Sequence, residues 1–187
     1  KILRVGKEAG AFRVSAESFA AMTGAAKRYE GPREPGPNAP FDDPDKILPT
    51  DWPRAKAFNY KLANFERFTG RKLRARVLAK TPEGGMEGYL LETAACLGVE
   101  KDGVLAVYCA NSDRWYLKVG EAFRRLVGDE DAFRAEAGKR TEAAVEYAKR
   151  HLPEGQQALA PNQRIKLSMD SVIDGLITKL EPSAPAP

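Results

Sequence analysis

The sequence predicts an α/β (α+β) domain built as a three-layer sandwich, in which helices cover both faces of a small mixed sheet. Residues 104–110 are apolar at every position, which is typical of a strand buried on both faces. Turn-forming residues at 111–113 and an alternating segment at 114–120 follow, and together they predict a hairpin. A strand at 72–78 precedes a helix of crossover length, so we expect strands 72–78 and 104–110 to be parallel.

Composition limits the classes of function. A chain of 187 residues suits one domain with extensions. The net charge of +4 comes from 30 basic and 26 acidic residues that are interspersed, so we do not expect a nucleic-acid partner. No apolar run approaches the roughly 20 residues that cross a bilayer. The chain begins at Lys1, from which we expect a processed N-terminus with a signal peptide removed.

Residues 1–44 are predicted to form an N-terminal extension that ends in a connector rich in proline and glycine at 31–40. Within it, Ile2 and Leu3 favour a short strand, and a weak helix follows Ser15. The main domain is expected at 45–181 and a disordered tail at 182–187. Asp42, Asp43 and Asp45 suggest either a calcium-type oxygen cluster or a solvated linker, and the missing glycine turn and terminal glutamate favour the linker.

The first helix of the main domain is predicted to begin after Thr50 or Asp51 and to end at Gly70. Its inward face takes apolar residues at steps of three and four, namely Trp52, Ala55, Phe58, Leu62, Phe65 and Phe68. An aromatic helix of this kind can also bind a nucleic-acid strand, but this spacing favours a core face.

Strand 72–78 alternates charged and apolar residues. This pattern predicts a half-open sheet face that carries Lys72, Arg74 and Arg76. An anion site is the alternative interpretation, and solvated or ion-paired side chains are favoured.

Three further helices are expected. One spans residues 86–97 and ends at Gly98, and the preceding Gly84-Gly85 pair indicates a flexible loop more than a phosphate cradle. A second spans 129–151 and either continues through Gly138 or breaks there, with Tyr147 on its apolar side. Residues 156–167 are predicted to be irregular, and Ser168 to cap a last helix. This last helix has an apolar stripe formed by Val172, Ile173, Leu176, Ile177 and Leu180.

The histidine and cysteine content limits the chemistry. His151 is the only histidine, which argues against a histidine zinc site or a catalytic triad, and its place at a helix end favours contact with the helix dipole. Cys96 and Cys109 are interpreted as small buried hydrophobic residues, because they fall on a predicted helix and a predicted strand.

This order of elements resembles the TPM-domain family, which is named for thylakoid-lumen phosphatase, photosystem repair and acetylcholine-receptor accessory proteins. The resemblance covers about residues 45–180. It rests on short motifs at residues 65–70 (Phe-Glu-Arg-Phe-Thr-Gly), 101–105 (Lys-Asp-Gly-Val-Leu), 113–114 (Asp-Arg) and 119–120 (Val-Gly), followed by Asp129.

The resemblance implies an extracytoplasmic protein, periplasmic or secreted. Family members include weak acid phosphatases, proteins that bind divalent metal ions and accessory proteins. Ala122 and Arg124 occupy positions where the family commonly has a glycine and a glutamate. A guanidinium in place of an oxygen ligand repels a cation, so the favoured expectation is a noncatalytic module that binds a protein partner in the cell envelope.

The alternative expectation is a metal-dependent phosphomonoesterase. Ligands in such sheets lie beyond the carboxyl ends of the parallel strands, where oxygen-bearing side chains suit Ca²⁺ or Mg²⁺. The candidate ligands are Glu83, Asn111 and Asp113, with Asp129 added from the family pattern. For Asn111 and Asp113, a hairpin turn held by side-chain hydrogen bonds is the favoured interpretation. No residue has the pattern of an activated nucleophile.

Overall fold

The computed structural model describes residues 2–3, 12–13, 34–50, 53–153, 156 and 158–181. The chain divides into two compact units, Lys1–Gly31 and Pro32–Pro187, so the division falls earlier than the predicted boundary at residue 44. In the first unit β1 (Ile2–Leu3) pairs antiparallel with β2 (Phe12–Arg13). The helix expected after Ser15 and the tail expected at 182–187 lie outside the described residues.

The second unit contains a four-stranded mixed sheet of order β3-β4-β5-β6. Strands β3, β4 and β5 are parallel and β6 is antiparallel to β5. The elements follow the chain as β3 (Phe41–Asp42), α1 (Arg54–Thr69), β4 (Lys72–Leu78), α2 (Met86–Cys96), β5 (Gly103–Cys109), β6 (Arg114–Val119), α3 (Arg124–Val127), α4 (Glu130–Arg150) and α5 (Pro161–Leu180). The predicted parallel pair and hairpin are confirmed, whereas β3 arises from a segment predicted to be connector.

β5 lies at the centre of the packing, and all seven of its residues are buried. On one face Val104, Ala106 and Tyr108 pack with side chains of α1, α4 and α5. On the other face Leu105 and Val107 pack with side chains of α2. Helices on both faces of a mixed sheet are the predicted three-layer sandwich, which is confirmed.

The chain reverses between β5 and β6 in one turn of 3-10 helix, Ala110–Ser112. Asp113 follows in the left-handed region with φ 45° and ψ 47°, a conformation that aspartate adopts more readily than most residues. Trp115 and Leu117 are buried along β6 while Tyr116 and Lys118 are half-buried, so the predicted alternation along this strand is confirmed.

The expectation of an exposed charged face on β4 is wrong. Arg74 and Arg76 are 9% and 2% exposed. They lie beside Leu105 and Val107 of β5 in the register of the sheet, on the face that α2 covers. Burial is tolerated because Arg74 pairs with Glu66 at 2.8 Å and Arg76 donates to main-chain carbonyls. These two side chains are therefore not available to a nucleic acid.

Helix α5 begins at Pro161, not at Ser168 as expected. Proline is favoured at the first helical position because its missing N–H needs no partner there. The Gln163 side chain accepts a hydrogen bond from the Ala160 N–H at 3.1 Å, which satisfies a further donor at this end. Ser168 consequently lies inside the helix, and its hydroxyl is available for a tertiary contact.

Helix α4 continues through Gly138 without a break. Its end carries His151, whose Nδ1 lies 2.8 Å from the Tyr147 carbonyl oxygen. Tyr147 itself is 65% exposed and Phe68 on α1 is 77% exposed. The assignment of both aromatic rings to buried apolar faces is wrong, because each lies near the end of its helix and is largely exposed.

The remaining expectations concern caps, acidic residues and cysteines. Helix α1 ends at Gly70 in the left-handed region, as predicted, whereas Asp51 and Trp52 lie outside the described residues. The Asp43 side chain accepts hydrogen bonds from two main-chain N–H groups of its own loop.

Cys109 is buried as expected, but Cys96 is exposed, and both are free. None of the described helices has the length and apolarity needed to span a bilayer.

Candidate functional site

An open cleft of about 240 Å³ lies where the β5–β6 turn meets helices α4 and α5. We call it the hairpin cleft. Its lining residues come from the turn and the start of β6 (Asp113, Arg114, Trp115), from α4 (Arg134, Ala137, Gly138, Thr141, Glu142) and from α5 (Arg164, Ser168, Val172). Its turn residue Asp113 follows the carboxyl end of β5, which is the end at which ligands of parallel sheets lie.

Helical periodicity accounts for the two walls of the hairpin cleft. On α5 the lining residues Arg164, Ser168 and Val172 are four residues apart, so they share one face. On α4 the same spacing aligns Arg134 and Gly138. A Cβ added to Gly138 would meet nothing within 4 Å, so the missing side chain leaves this part of the cleft open.

Two hydrogen bonds fix the inner part of the hairpin cleft. The Tyr108 hydroxyl donates to Asp113 Oδ1 at 2.6 Å. The Trp115 indole donates from Nε1 to Ser168 Oγ at 2.8 Å, which ties β6 to α5. The two rings lie 5.3 Å apart at 51°, a favourable tilted arrangement for aromatic pairs. The turn is therefore held to β5, and the start of β6 is held to α5.

Two arginines at the hairpin cleft, Arg134 and Arg164, are held in ion pairs. Arg164 Nη2 lies 2.5 Å from Glu142 Oε1, and a second contact from Nη1 to Oε2 measures 3.4 Å, so the guanidinium spans the gap between α5 and α4. Arg134 pairs with Glu130 at 3.5 Å and also with Asp131. Except for Arg134, the side chains of these ion pairs are more than a third exposed. The ion pairs therefore orient the side chains but add little to the free energy of unfolding.

The electrostatics make Tyr108 a hydrogen-bond donor. Burial raises the pKa of its phenol, and the hydrogen bond to Asp113 raises it further. A phenol with a raised pKa stays protonated at neutral pH and does not act as a base or nucleophile. The hairpin cleft thus offers oriented hydrogen-bond donors and acceptors.

The predicted metal ligands lie in different surroundings. Asp113 lines the hairpin cleft. Asn111 faces the loop after β4, where its Oδ1 accepts from Cys109 Sγ at 3.0 Å and lies 3.5 Å from Thr81 Oγ1. Glu83 is exposed in that loop. Asp129 caps α4 by accepting from the Ala132 N–H at 2.7 Å.

These residues do not fit a calcium or magnesium site as they stand. Calcium takes six to eight oxygen ligands around one point. In the part of the chain that the structure describes, no three or more His, Cys, Asp or Glu side chains are grouped to hold a metal ion, so Glu83, Asp113 and Asp129 do not form such a group. The metal at these positions stays a prediction.

Arg164, Glu142 and the Trp115–Ser168 contact are the parts of the site that sequence reasoning missed. The signal was present in Pro161, which favours a helix start. A helix that begins there places Arg164 and Ser168 on one face. The contact with Trp115 depends on how α5 packs against β6, which periodicity does not specify.

Replacing Tyr108 by phenylalanine is expected to reduce the loss of stability in alkali. The unfolded tyrosine releases its proton near pH 10, whereas the folded one holds it to higher pH because its pKa is raised. The stabilisation from this group is therefore complete below about pH 10 and is lost as pH rises further. The urea midpoints measured at pH 8 and above pH 10 should therefore differ less for Tyr108→Phe than for the wild type.

The matched control for this measurement is Tyr147→Phe, because Tyr147 is 65% exposed. This variant should show the same alkaline loss as the wild type. An equal loss in Tyr108→Phe and Tyr147→Phe would contradict the assigned environment of Tyr108.

Comparisons with known proteins give one structural similarity to report. No family model matches the sequence, and no curated protein matches it. Among the solved structures that match is the solution NMR structure of the N-terminal domain of a protein from P. gingivalis. It shares 14% sequence identity and a TM-score of 0.49, and the match covers 72% of this chain and 78% of that one.

Proposed function

We propose that the chain is an extracytoplasmic domain of the TPM type, periplasmic or secreted, that works as a noncatalytic protein-binding or accessory module. A partner protein in the cell envelope is proposed to insert part of its chain into the hairpin cleft. The TPM assignment and the location rest on the motifs at residues 65–70, 101–105, 113–114 and 119–120.

The observation that carries the proposal is the architecture of the hairpin cleft. Its polar groups are already oriented by partners within the domain, as in Tyr108 with Asp113 and Arg164 with Glu142. Such preorganisation lowers the entropy lost when a partner binds. The space above Gly138 admits a side chain from that partner. A cleft that presents fixed donors and acceptors beside an open volume is suited to recognition.

Filling the hairpin cleft tests the proposal. Gly138→Leu adds a side chain where a Cβ meets nothing within 4 Å, so it should block the cleft without disturbing the helix. The tagged full chain should retain one specific envelope protein, and Gly138→Leu should retain at least about tenfold less. The control is Ala143→Leu, an exposed position on the same helix outside the cleft lining, which should retain as much as the wild type.

The phosphomonoesterase alternative is tested in the same preparation. The proposal would be overturned if no specific partner were retained while the protein hydrolysed p-nitrophenyl phosphate with Ca²⁺ or Mg²⁺ and Asp113→Ala abolished that turnover. Retention of the same partner by Gly138→Leu and the wild type would move the binding surface away from the hairpin cleft.

A further inference from the structure

Strand β6 is an edge of the sheet with unpaired backbone groups. Its neighbour is β5, and the described residues provide no strand on its other side. The Gly120 N–H donates to the Gly103 carbonyl at 2.8 Å. Opposing residues of two antiparallel strands alternate between pairs that exchange hydrogen bonds and pairs that do not. Since Gly120 and Gly103 belong to a bonded pair, the register places Trp115, Leu117 and Val119 in the pairs that do not exchange hydrogen bonds. Their N–H and C=O groups therefore point away from β5.

These outward groups lie beside a groove of about 330 Å³, which we call the edge groove. Leu117 and Val119 line it although their residues are 7% and 6% exposed. Their side chains belong to the core, so what they offer to the groove is main chain. Within the described part of the chain, no backbone group outside the ladder bonds to them.

The walls of the edge groove specify what kind of segment fits. Leu90 and Leu91 of α2 supply an apolar wall, and Leu91 is 47% exposed. Lys118 and Arg124 also line the groove. Among the residues that the structure describes, neither forms an ion pair, whereas Glu130 in the same lining is paired with Arg134. Glu87 also lines the groove and likewise forms no ion pair among these residues, so two unpaired basic groups stand against one unpaired carboxylate. The remaining positive charge favours a segment that carries a carboxylate.

The edge groove and the hairpin cleft share the same strand. The cleft takes its lining from residues up to Trp115 and the groove from Leu117 onward. Helix α4 lines both, through Arg134 in the cleft and Glu130 in the groove. A segment laid along β6 would therefore run from one to the other.

We propose that the partner of this domain binds by adding an extended strand to the free edge of β6. The inference rests on the proposed protein-binding function and specifies its mode. The occupant is an extended segment of another protein that alternates apolar and polar residues and carries an acidic side chain opposite Lys118 and Arg124. Its main chain bonds the outward groups of Leu117 and Val119, and its apolar side chains contact Leu90 and Leu91, as in other strand-addition complexes.

The test uses a displayed library of random linear decapeptides selected on the full chain. Enriched peptides should alternate apolar and polar residues and include an acidic residue. Leu91→Lys, which narrows the edge groove, should weaken their binding at least about tenfold. Leu126→Lys is the matched control, since Leu126 is 42% exposed and lies outside the groove lining. It should leave binding within about twofold of the wild type.

Backbone methylation of the selected peptide provides an independent readout that needs no protein variant. In strand addition, alternate peptide N–H groups bond the edge and the others do not. Peptides methylated on one backbone nitrogen each should lose binding when the methyl group is at every second residue, and should bind almost normally when it is at the intervening residues. Hydrogen exchange at the Leu117 and Val119 amides should slow when the peptide is bound.

Four outcomes would overturn strand addition. The first is no enrichment of peptides, and the second is methylation effects without a period of two. The third is a dimer in light scattering that Leu91→Lys dissociates, which would assign the edge to a second copy of the chain. If the selected peptides no longer bound Gly138→Leu but still bound Leu91→Lys, strand addition would also be contradicted, while the proposed function would be supported. Retention of the envelope partner by Gly138→Leu together with its loss from Leu91→Lys would contradict the hairpin cleft instead.

Discussion

Arg76→Ala is expected to lower the free energy of unfolding by about 3 kcal/mol, since it removes a buried side chain and hydrogen bonds from a charged donor, which contribute on the order of 1.5 to 3 kcal/mol each. Arg76 is 2% exposed. Its Nη2 donates to the carbonyls of Pro37 and Ala39 at 2.9 and 3.0 Å, and its Nη1 donates to Ala75 at 2.7 Å. Alanine removes these hydrogen bonds and opens a cavity. Equilibrium urea unfolding at pH 7 measures the loss.

The matched control for Arg76 is Lys72→Ala. Lys72 lies on the same face of β4 and donates to the Gly98 carbonyl at 3.0 Å in an exposed position, so its loss should cost no more than about 1 kcal/mol. Arg76→Lys should fall between the two variants, because an ammonium cannot reproduce the fork of donors. Equal losses for Arg76→Ala and Lys72→Ala would contradict the structural role of Arg76.

The destabilisation by Arg76→Ala should be smaller in acid than at pH 7. Burial raises the pKa of Asp42, and the Arg76 guanidinium opposes that rise. Without Arg76 the folded protein holds the Asp42 proton to still higher pH. A carboxyl whose pKa is higher in the folded state than in the unfolded state binds a proton more tightly when the protein is folded. The free energy of unfolding therefore rises as pH falls toward the unfolded pKa near 4. Unfolding at pH 4 and pH 7 measures the difference.

Gly120→Ala is expected to cost about 2 kcal/mol, which is typical of overpacking against a structure that cannot move freely. A Cβ at Gly120 would lie 2.6 Å from the Lys101 carbonyl oxygen and 2.7 Å from its carbon. Both are backbone atoms, and the same carbonyl accepts a hydrogen bond from Ala122. The end of the hairpin must therefore shift, and thermal or urea unfolding should show the loss.

Gly138→Ala provides the control for Gly120. A Cβ there meets nothing within 4 Å and the position is helical, so alanine should stabilise by about 0.5 to 1 kcal/mol. If both substitutions changed stability in the same direction and by the same amount, close packing at Gly120 would not be the determinant.

The sequence predicts the parts of the fold whose side chains alternate or repeat along a single element. The apolar run of β5 predicted a central strand because burial on both faces removes the polar alternation. Gly70 predicted the end of α1 because a left-handed residue closes a helix. Both depend on local chemistry, and both are confirmed.

The errors occurred where a tertiary contact overrides the local pattern. Arg76 alternates with apolar neighbours as an exposed residue would, but carbonyls at residues 37–40 meet its guanidinium, and no pattern along β4 predicts that loop. Ser168 is a good capping residue, but Pro161 begins the helix and Trp115 uses the serine hydroxyl. Of the candidate site, Asp113 was predicted at the end of a parallel strand, whereas Arg164 and Glu142 depend on the packing of α5 on α4.

Site-specific photo-cross-linking tests the central claim, that a partner protein occupies the hairpin cleft, most directly. A benzophenone side chain placed at Gly138 projects into the open part of the cleft, and one at Ala143 lies on the same helix outside the cleft lining. With envelope extracts, the account predicts one discrete protein adduct from position 138 and none from position 143. Adducts of equal yield from both positions would contradict it. The absence of an adduct from position 138, although the unmodified chain retains a partner, would also contradict it.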